Sequence, residues 1–135
     1  MAEGKNLVVS GKRKTAIARA VIKPGTGNIT VNNVNYENLS SLRKLRIAEP
    51  LRIAGRHEKP NFDISVKIKG GGEESQIEAA RLAIARAILA YTKSEQIKRA
   101  FLNYDRSLLI ADTRRKETRK PGDSKARKKR QKSYR

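Results

Sequence analysis

Residues 62–69 alternate without a fault. Phe62, Ile64, Val66 and Ile68 are apolar, and Asp63, Ser65, Lys67 and Lys69 between them are polar. A period of two predicts a strand with one face on a core and the other turned outward. The period then changes. After Gly70-Gly71-Gly72, the run EESQIEAARLAIARAILAY carries Ile77, Ala80, Ile84, Ile88 and Tyr91 at steps of three, four, four and three, which is one face of a helix. Glu73 and Glu74 stand in its first turn, where the helix dipole favours negative charge. Six alanines between Ala79 and Ala90 let this helix lie close on a sheet.

The flanking segments are shorter. Leu7–Val9 reads as a brief strand, broken by Ser10-Gly11 and the basic run Lys12-Arg13-Lys14. Ala16–Lys23 is a second strand, and the turn residues Pro24–Asn28 reverse it into a return strand, Ile29–Val31. Asn32-Asn33 makes another turn towards Val34 and Tyr36, so a meander of short antiparallel strands is expected. Ser40–Ala54 is helix-like, with Leu42, Leu45, Leu51 and Ile53 apolar and Arg43, Lys44, Arg46, Arg52 and Arg56 giving a basic outer side. Pro50 predicts two short helices meeting near Glu49-Pro50, because its ring blocks the preceding turn. A third helix spans about Ser94–Asn103, with Ser94 as N-cap and Ile97, Phe101 and Leu102 inward. Ser107–Ile110 is a last apolar anchor. The expected fold is α+β, a mixed sheet with helices packed on it.

Charge changes the picture. The 135 residues hold 32 Lys and Arg against 13 acids, a net charge of +19. Residues 112–135 carry twelve bases and three acids, and 1–111 carry twenty and ten, so +9 falls in 24 residues and +10 in 111. We therefore expect a globular body over 1–111 and an extended basic tail over 112–135. The tail has too little apolar surface to offset the entropy of ordering by itself. A charge this large calls for a polyanion. Nucleic acid fits best and an anionic membrane fits worse. No run of eighteen apolar residues exists to span a bilayer, and the start, MAEGKNLVVSGKRK, lacks a signal-peptide core. With no cysteine there are no disulfides, and a reducing, cytosolic setting fits.

Catalytic and cofactor chemistry finds little material. His57 is the single histidine, so a soft metal site has no ligand set, and Arg56–Lys59 reads as a solvated loop. No Ser–His–acid set is apparent. Gly11-Lys12 does not make a P-loop, since Gly4 and Gly11 have six residues between them and Arg13 follows the lysine. Gly70, Gly71 and Gly72 could cradle phosphate at a helix start, but Glu73 and Glu74 would repel it. The better reading is a tight strand-to-helix turn needing positive φ or close backbone approach. No enzyme, metal, cofactor, small-molecule substrate or membrane partner is expected.

Three segments in order resemble one family, the S-nine family of the small ribosomal subunit. They are GKRKTAIARA at 11–20, GGGEESQIEAARLAIARAI at 70–88 and DTRRKETRKPGDSKARKKRQKSYR at 112–135. Leu108–Asp112 and the closing Ser133-Tyr134-Arg135 resemble the archaeal and eukaryotic branch, and the economy of length inclines to an archaeal source. The resemblance implies a body like the second domain of ribosomal protein S-five, with a left-handed βαβ crossover. It also implies a place in the head of the small subunit in the cytoplasm, among neighbouring head proteins. Lys12, Arg13 and Lys14 would contact small-subunit rRNA. So would Arg114, Arg115, Lys116, Arg119, Lys120, Lys125, Arg127, Lys128, Lys129 and Arg130. Arg135, Tyr134, Ser133 and Lys132 would reach the anticodon stem-loop of peptidyl-site tRNA, with Pro121-Gly122 letting the tail turn. The rival reading is a free nucleic-acid compactor, which shares the charge but needs no particular Tyr134-Arg135 tip. An enzyme with a targeting tail is a second rival and lacks an acid/base or metal set.

Overall fold

A computed structural model describes residues 6–57, 61–121, 125–127 and 133–135. Its sheet contains β1 (Leu7–Arg13), β2 (Ala16–Pro24), β3 (Ile29–Val31), β4 (Val34–Asn35) and β5 (Phe62–Lys69). The spatial order is β1-β2-β5-β3-β4. All neighbours are antiparallel except β3 and β5, which run parallel. Helices α1 (Ser41–Gly55), α2 (Glu73–Thr92) and α3 (Glu95–Tyr104) make the second layer, with α2 against β1, β2 and β5, and α1 against α2 and α3. This is the expected α+β architecture with a mixed sheet.

The core is aliphatic, with Phe62 and Phe101 its buried aromatics. From β2 come Ala16, Ala18, Ala20 and Ile22, from β5 Phe62, Ile64, Val66 and Ile68, and from α2 Ile77, Ala80, Ile84 and Ile88. Tyr91 meets Phe62 edge-on with ring centroids 5.7 Å apart. Phe101, Ile97 and Leu108 are fully buried.

Four expectations are corrected. Ser10-Gly11 does not break β1, which runs straight through to Arg13. Glycine is needed there because β1 and α2 touch backbone to backbone. A Cβ on Gly11 would lie 2.4 Å from the Ala79 carbonyl oxygen and 2.7 Å from the Ala83 nitrogen. The chain reverses instead at Lys14-Thr15, with Lys14 at φ 52° and Arg13 paired to Ala16.

The strands are not a meander. Pro24–Asn28 does not return β3 alongside β2, because β5 pairs between them and takes β3 in parallel. The connection is tied over the start of β5 by Asp63. Its Oδ1 accepts from the backbone N–H groups of Thr26, Gly27 and Asn28 at 2.9–3.0 Å. Those donors, Asn28 foremost, hold the Asp63 carboxyl below its ordinary range. The Asn32-Asn33 turn is as expected, with φ 49° and 67°, the two positive values of a type I′ hairpin.

Pro50 does not split α1, and the helix is continuous over fifteen residues. Proline removes one donor, but the ring is fully buried, and burial of Ile47, Ala48, Pro50 and Ala54 holds the helix together across it. Leu42 and Leu45 consequently lie off the packed face, 75% and 48% exposed. In α3 the same holds for Leu102, at 42%. Ser94 stands at the N-cap, but its side chain makes no capping bond.

Candidate nucleic-acid interface

The glycine turn between β5 and α2 is structural. Gly70 and Gly71 sit at φ 74° and 72°, and a Cβ on either would strike Thr15 or Ala16 of the β1–β2 hairpin. Gly72 meets neither condition, since its φ is −89° and its surroundings are open. The helix start beyond it is already occupied by charge. Glu73 pairs with Arg43, and Glu74 accepts from Arg46 at 2.9 Å. Two α1 guanidiniums therefore hold the acids that exclude phosphate from this turn.

The tail leaves the body from a knot of ion pairs. Arg81 of α2 holds Glu49 of α1 at 2.6 Å and Asp105 at 3.0 Å. Partial burial pushes the Asp105 carboxyl up, but bonds from Ser107 and Arg81 outweigh this and leave it below its ordinary range. Arg86 donates to the carbonyls of Leu109 at 2.9 Å and Ser10 at 3.1 Å, clamping the chain after the 3₁₀ turn Arg106–Leu108 against β1. Arg13 closes the knot. Its Nε meets Glu78 at 2.6 Å, and its Nη1 meets Asp112 at 3.0 Å. Asp112 also accepts from the backbone and guanidinium of Arg114, and its carboxyl is held far below the usual carboxylate range, first by those bonds and then by the Arg13 charge.

Lys12, Arg13 and Lys14 are thereby separated. Lys12 is exposed, Arg13 is turned inward onto two acids, and Lys14 forms the hairpin turn. Beyond Asp112, residues Arg114, Arg115, Lys116, Arg119 and Lys120 are all exposed, with no helix or strand among the described residues after Leu108. Lys125 is exposed, while Arg127 grips Glu117 in a two-pronged pair, Nε donating at 2.9 Å and Nη2 at 2.6 Å. Ser133, Tyr134 and Arg135 are exposed, Tyr134 to 89%. Gly122, Lys128, Lys129, Arg130 and Lys132 lie outside the described residues, as do Glu58 and Lys59 beside His57.

A second cationic group came together only with the register. Arg19 pairs across to Lys67, and Ile17 pairs to Lys12 on one side and Lys69 on the other. These side chains share the sheet face opposite the helices. Sequence alternation marked Lys67 and Lys69 as outward but could not join them to Arg19 and Lys12, because strand pairing is not local.

An α+β body in which Arg13, Arg43, Arg46 and Arg81 are paired with its own acids, with a polycationic extension pinned at its root, belongs to the class of small, strongly basic α+β proteins. The family is more particular. A model of the family described as ribosomal protein S9/S16 matches residues 11–135. The chain is 48% identical over 132 residues to the small ribosomal subunit protein uS9 of Desulfurococcus amylolyticus, covering 97% of this chain and 94% of that one. It is 45% identical to the uS9 protein of Thermoplasma volcanium (96% and 98% covered) and 47% identical to that of Thermoplasma acidophilum (96% and 100%). The chain belongs to the ribosomal protein S9/S16 family, and these relatives are archaeal.

Proposed function

We propose that this protein is a structural, non-catalytic component of the small ribosomal subunit, working in the cytoplasm within the ribosome. It binds rRNA of the subunit head through its basic extension and reaches peptidyl-site tRNA with Ser133, Tyr134 and Arg135. The observation that carries this reading is the extent of the family match. It runs through residue 135, so the polycation is part of the family pattern and not an appendage to it. The chemistry agrees. Arg114, Arg115, Lys116, Arg119 and Lys120 are exposed, and tails of this composition order against phosphate. An arginine at the tip offers a planar fork for phosphate oxygens, with the exposed Tyr134 ring beside it.

Sedimentation on sucrose gradients tests the reading. The expected result is co-migration with the small subunit at both low and high salt, and weaker retention of peptidyl-site tRNA after removal of residues 133–135. A protein held only by diffuse charge would leave the subunit as salt rises, with a log–log slope of about −4 for six single-strand phosphates. That outcome would favour the free compactor.

A further inference from the structure

Among the described residues no element covers the sheet face turned away from the helices, and its composition is uneven in a telling way. Val8, Val21 and Ile17 form an aliphatic patch, Val8 directly across from Val21, with Val8 62% and Ile17 43% exposed. Arg19, Lys67 and Lys69 line the groove over it, Lys12 stands beside Ile17 at its edge, and among the described residues none of these four makes an ion pair. Asp63, the acid of β5, is turned to the Thr26–Asn28 amides. The groove over the patch has a volume of about 420 Å³. An aliphatic centre inside a charged rim is the anatomy of a protein–protein interface. RNA fits it less well. Sheets that bind RNA by their faces stack bases on aromatic rings, and no aromatic side chain is among the residues lining this groove. A phosphate backbone over Val8 and Ile17 would strip water from apolar surface without replacing it by packing.

We infer that this face docks an acidic, amphipathic segment of a neighbouring protein in the subunit, with aliphatic side chains over Val8, Val21 and Ile17 and carboxylates against Arg19, Lys67, Lys69 and Lys12. The inference rests on the ribosomal reading above and adds to it a surface and a partner chemistry. It also explains why the four cations have no acids of their own. A partner supplies them, and until then their repulsion keeps the aliphatic patch from pairing with a second copy of the same face.

A photoreactive benzoyl-phenylalanine at Val8, and separately at Ile17, tests this in purified small subunits. The expected product is a protein adduct whose cross-linked peptide contains Asp or Glu among aliphatic residues. Reversing Arg19→Glu and Lys67→Glu together should lower its yield at least about tenfold, since like charges then face each other. A nuclease-sensitive RNA adduct overturns the proposal. So does a peptide without acids, or no adduct from chains that do sediment with the subunit. Should the bulky probe impair incorporation, Ser10, paired to Arg19 at the patch rim, carries it without disturbing the aliphatic residues. If the unsubstituted chain fails to sediment with small subunits, the ribosomal reading itself falls. An RNA adduct from a sedimenting chain removes this proposal alone.

Discussion

The helix side and the open sheet face both carry cations, but they use them differently. On the helix side Arg13, Arg43, Arg46 and Arg81 all meet carboxylates of the same chain. On the sheet face Arg19, Lys67 and Lys69 stand without an ion pair among the described residues, as do Arg115, Lys116, Arg119 and Lys120 in the tail. Net charge therefore misrepresents the molecule. Part of the positive charge is internal structure, holding helices to one another and the tail root to the body. The remainder has no acid of its own among the described residues and is the part we propose as interface. Truncation of a paired cation should cost stability, and truncation of an unpaired one should cost binding.

The largest effect should come from the contact on which the helix-side arrangement depends. Gly11→Val forces a side chain into the α2 backbone, where no flexible group can give way. Overpacking of a core costs about 1–3 kcal/mol, and more when the obstacle is main chain. We expect a loss of about 3 kcal/mol or more by urea denaturation. Arg13 and Arg86 should release the tail root at the same time, seen as faster amide exchange at Leu109 and Arg114. A mild effect would mean that β1 and α2 separate easily and that the knot does not depend on their approach.

Arg81→Met comes next. It keeps the aliphatic stem but leaves Glu49 and Asp105 without their shared guanidinium. Arg81 is only 16% exposed, so screening by water is limited. A loss of about 1–3 kcal/mol is expected. Thermal unfolding of the variant should show it, and an unchanged midpoint would place Arg81 with the unpaired group.

How much of this difference could be read from the sequence depends on distance along the chain. The alternation of 62–69 and the helical period of 73–91 are local, and each made a face that burial then selected. The Asn32-Asn33 hairpin was legible because both residues tolerate positive φ. Strand order was not legible. Pro24–Asn28 announces a reversal, but whether β3 lies beside β2 or beyond β5 depends on the pairing of both strands with β5, more than thirty residues further on. The local rule for Pro50 predicts a break in α1, and tertiary burial overrides it. The basic run Lys12–Lys14 looked uniform. Strand alternation turned Arg13 inward, and no local pattern announces that Glu78 and Asp112 will meet it.

The unpaired group provides the contrasting test. Arg19→Ala with Lys67→Ala should leave the unfolding free energy within about 0.5 kcal/mol, as for surface changes away from special contacts. The same double variant should dissociate from small subunits at lower salt than the parent chain. A stability loss comparable with that of Arg81→Met would show that the two faces do not differ in kind.

The smallest effect is the sharpest on sign. Asp112 joins the two regimes, since Arg13 holds it from the body and Arg114 from the tail. Its carboxyl lies far below the ordinary range, so its contribution is complete above the unfolded value of about 3.9 and is lost only as pH falls through the depressed folded value. The tail root should therefore remain pinned from neutral pH down to about pH 4 and loosen only in stronger acid. The carboxyl carbon of Asp112 and the amide of Arg114, followed by NMR through an acid titration, read this directly. Asp112→Asn removes the charge at every pH. It should quicken exchange of the Arg114 amide at neutral pH while barely moving the unfolding midpoint of the body. Titration of Asp112 in the ordinary carboxylate range would mean that neither Arg114 nor Arg13 holds the carboxyl, leaving Arg86 on the Leu109 carbonyl as the clamp at the tail root. The paired cation Arg13 would then have Glu78 alone as its partner, and the boundary between structural and interface charge would move inward from Asp112 to the end of β1.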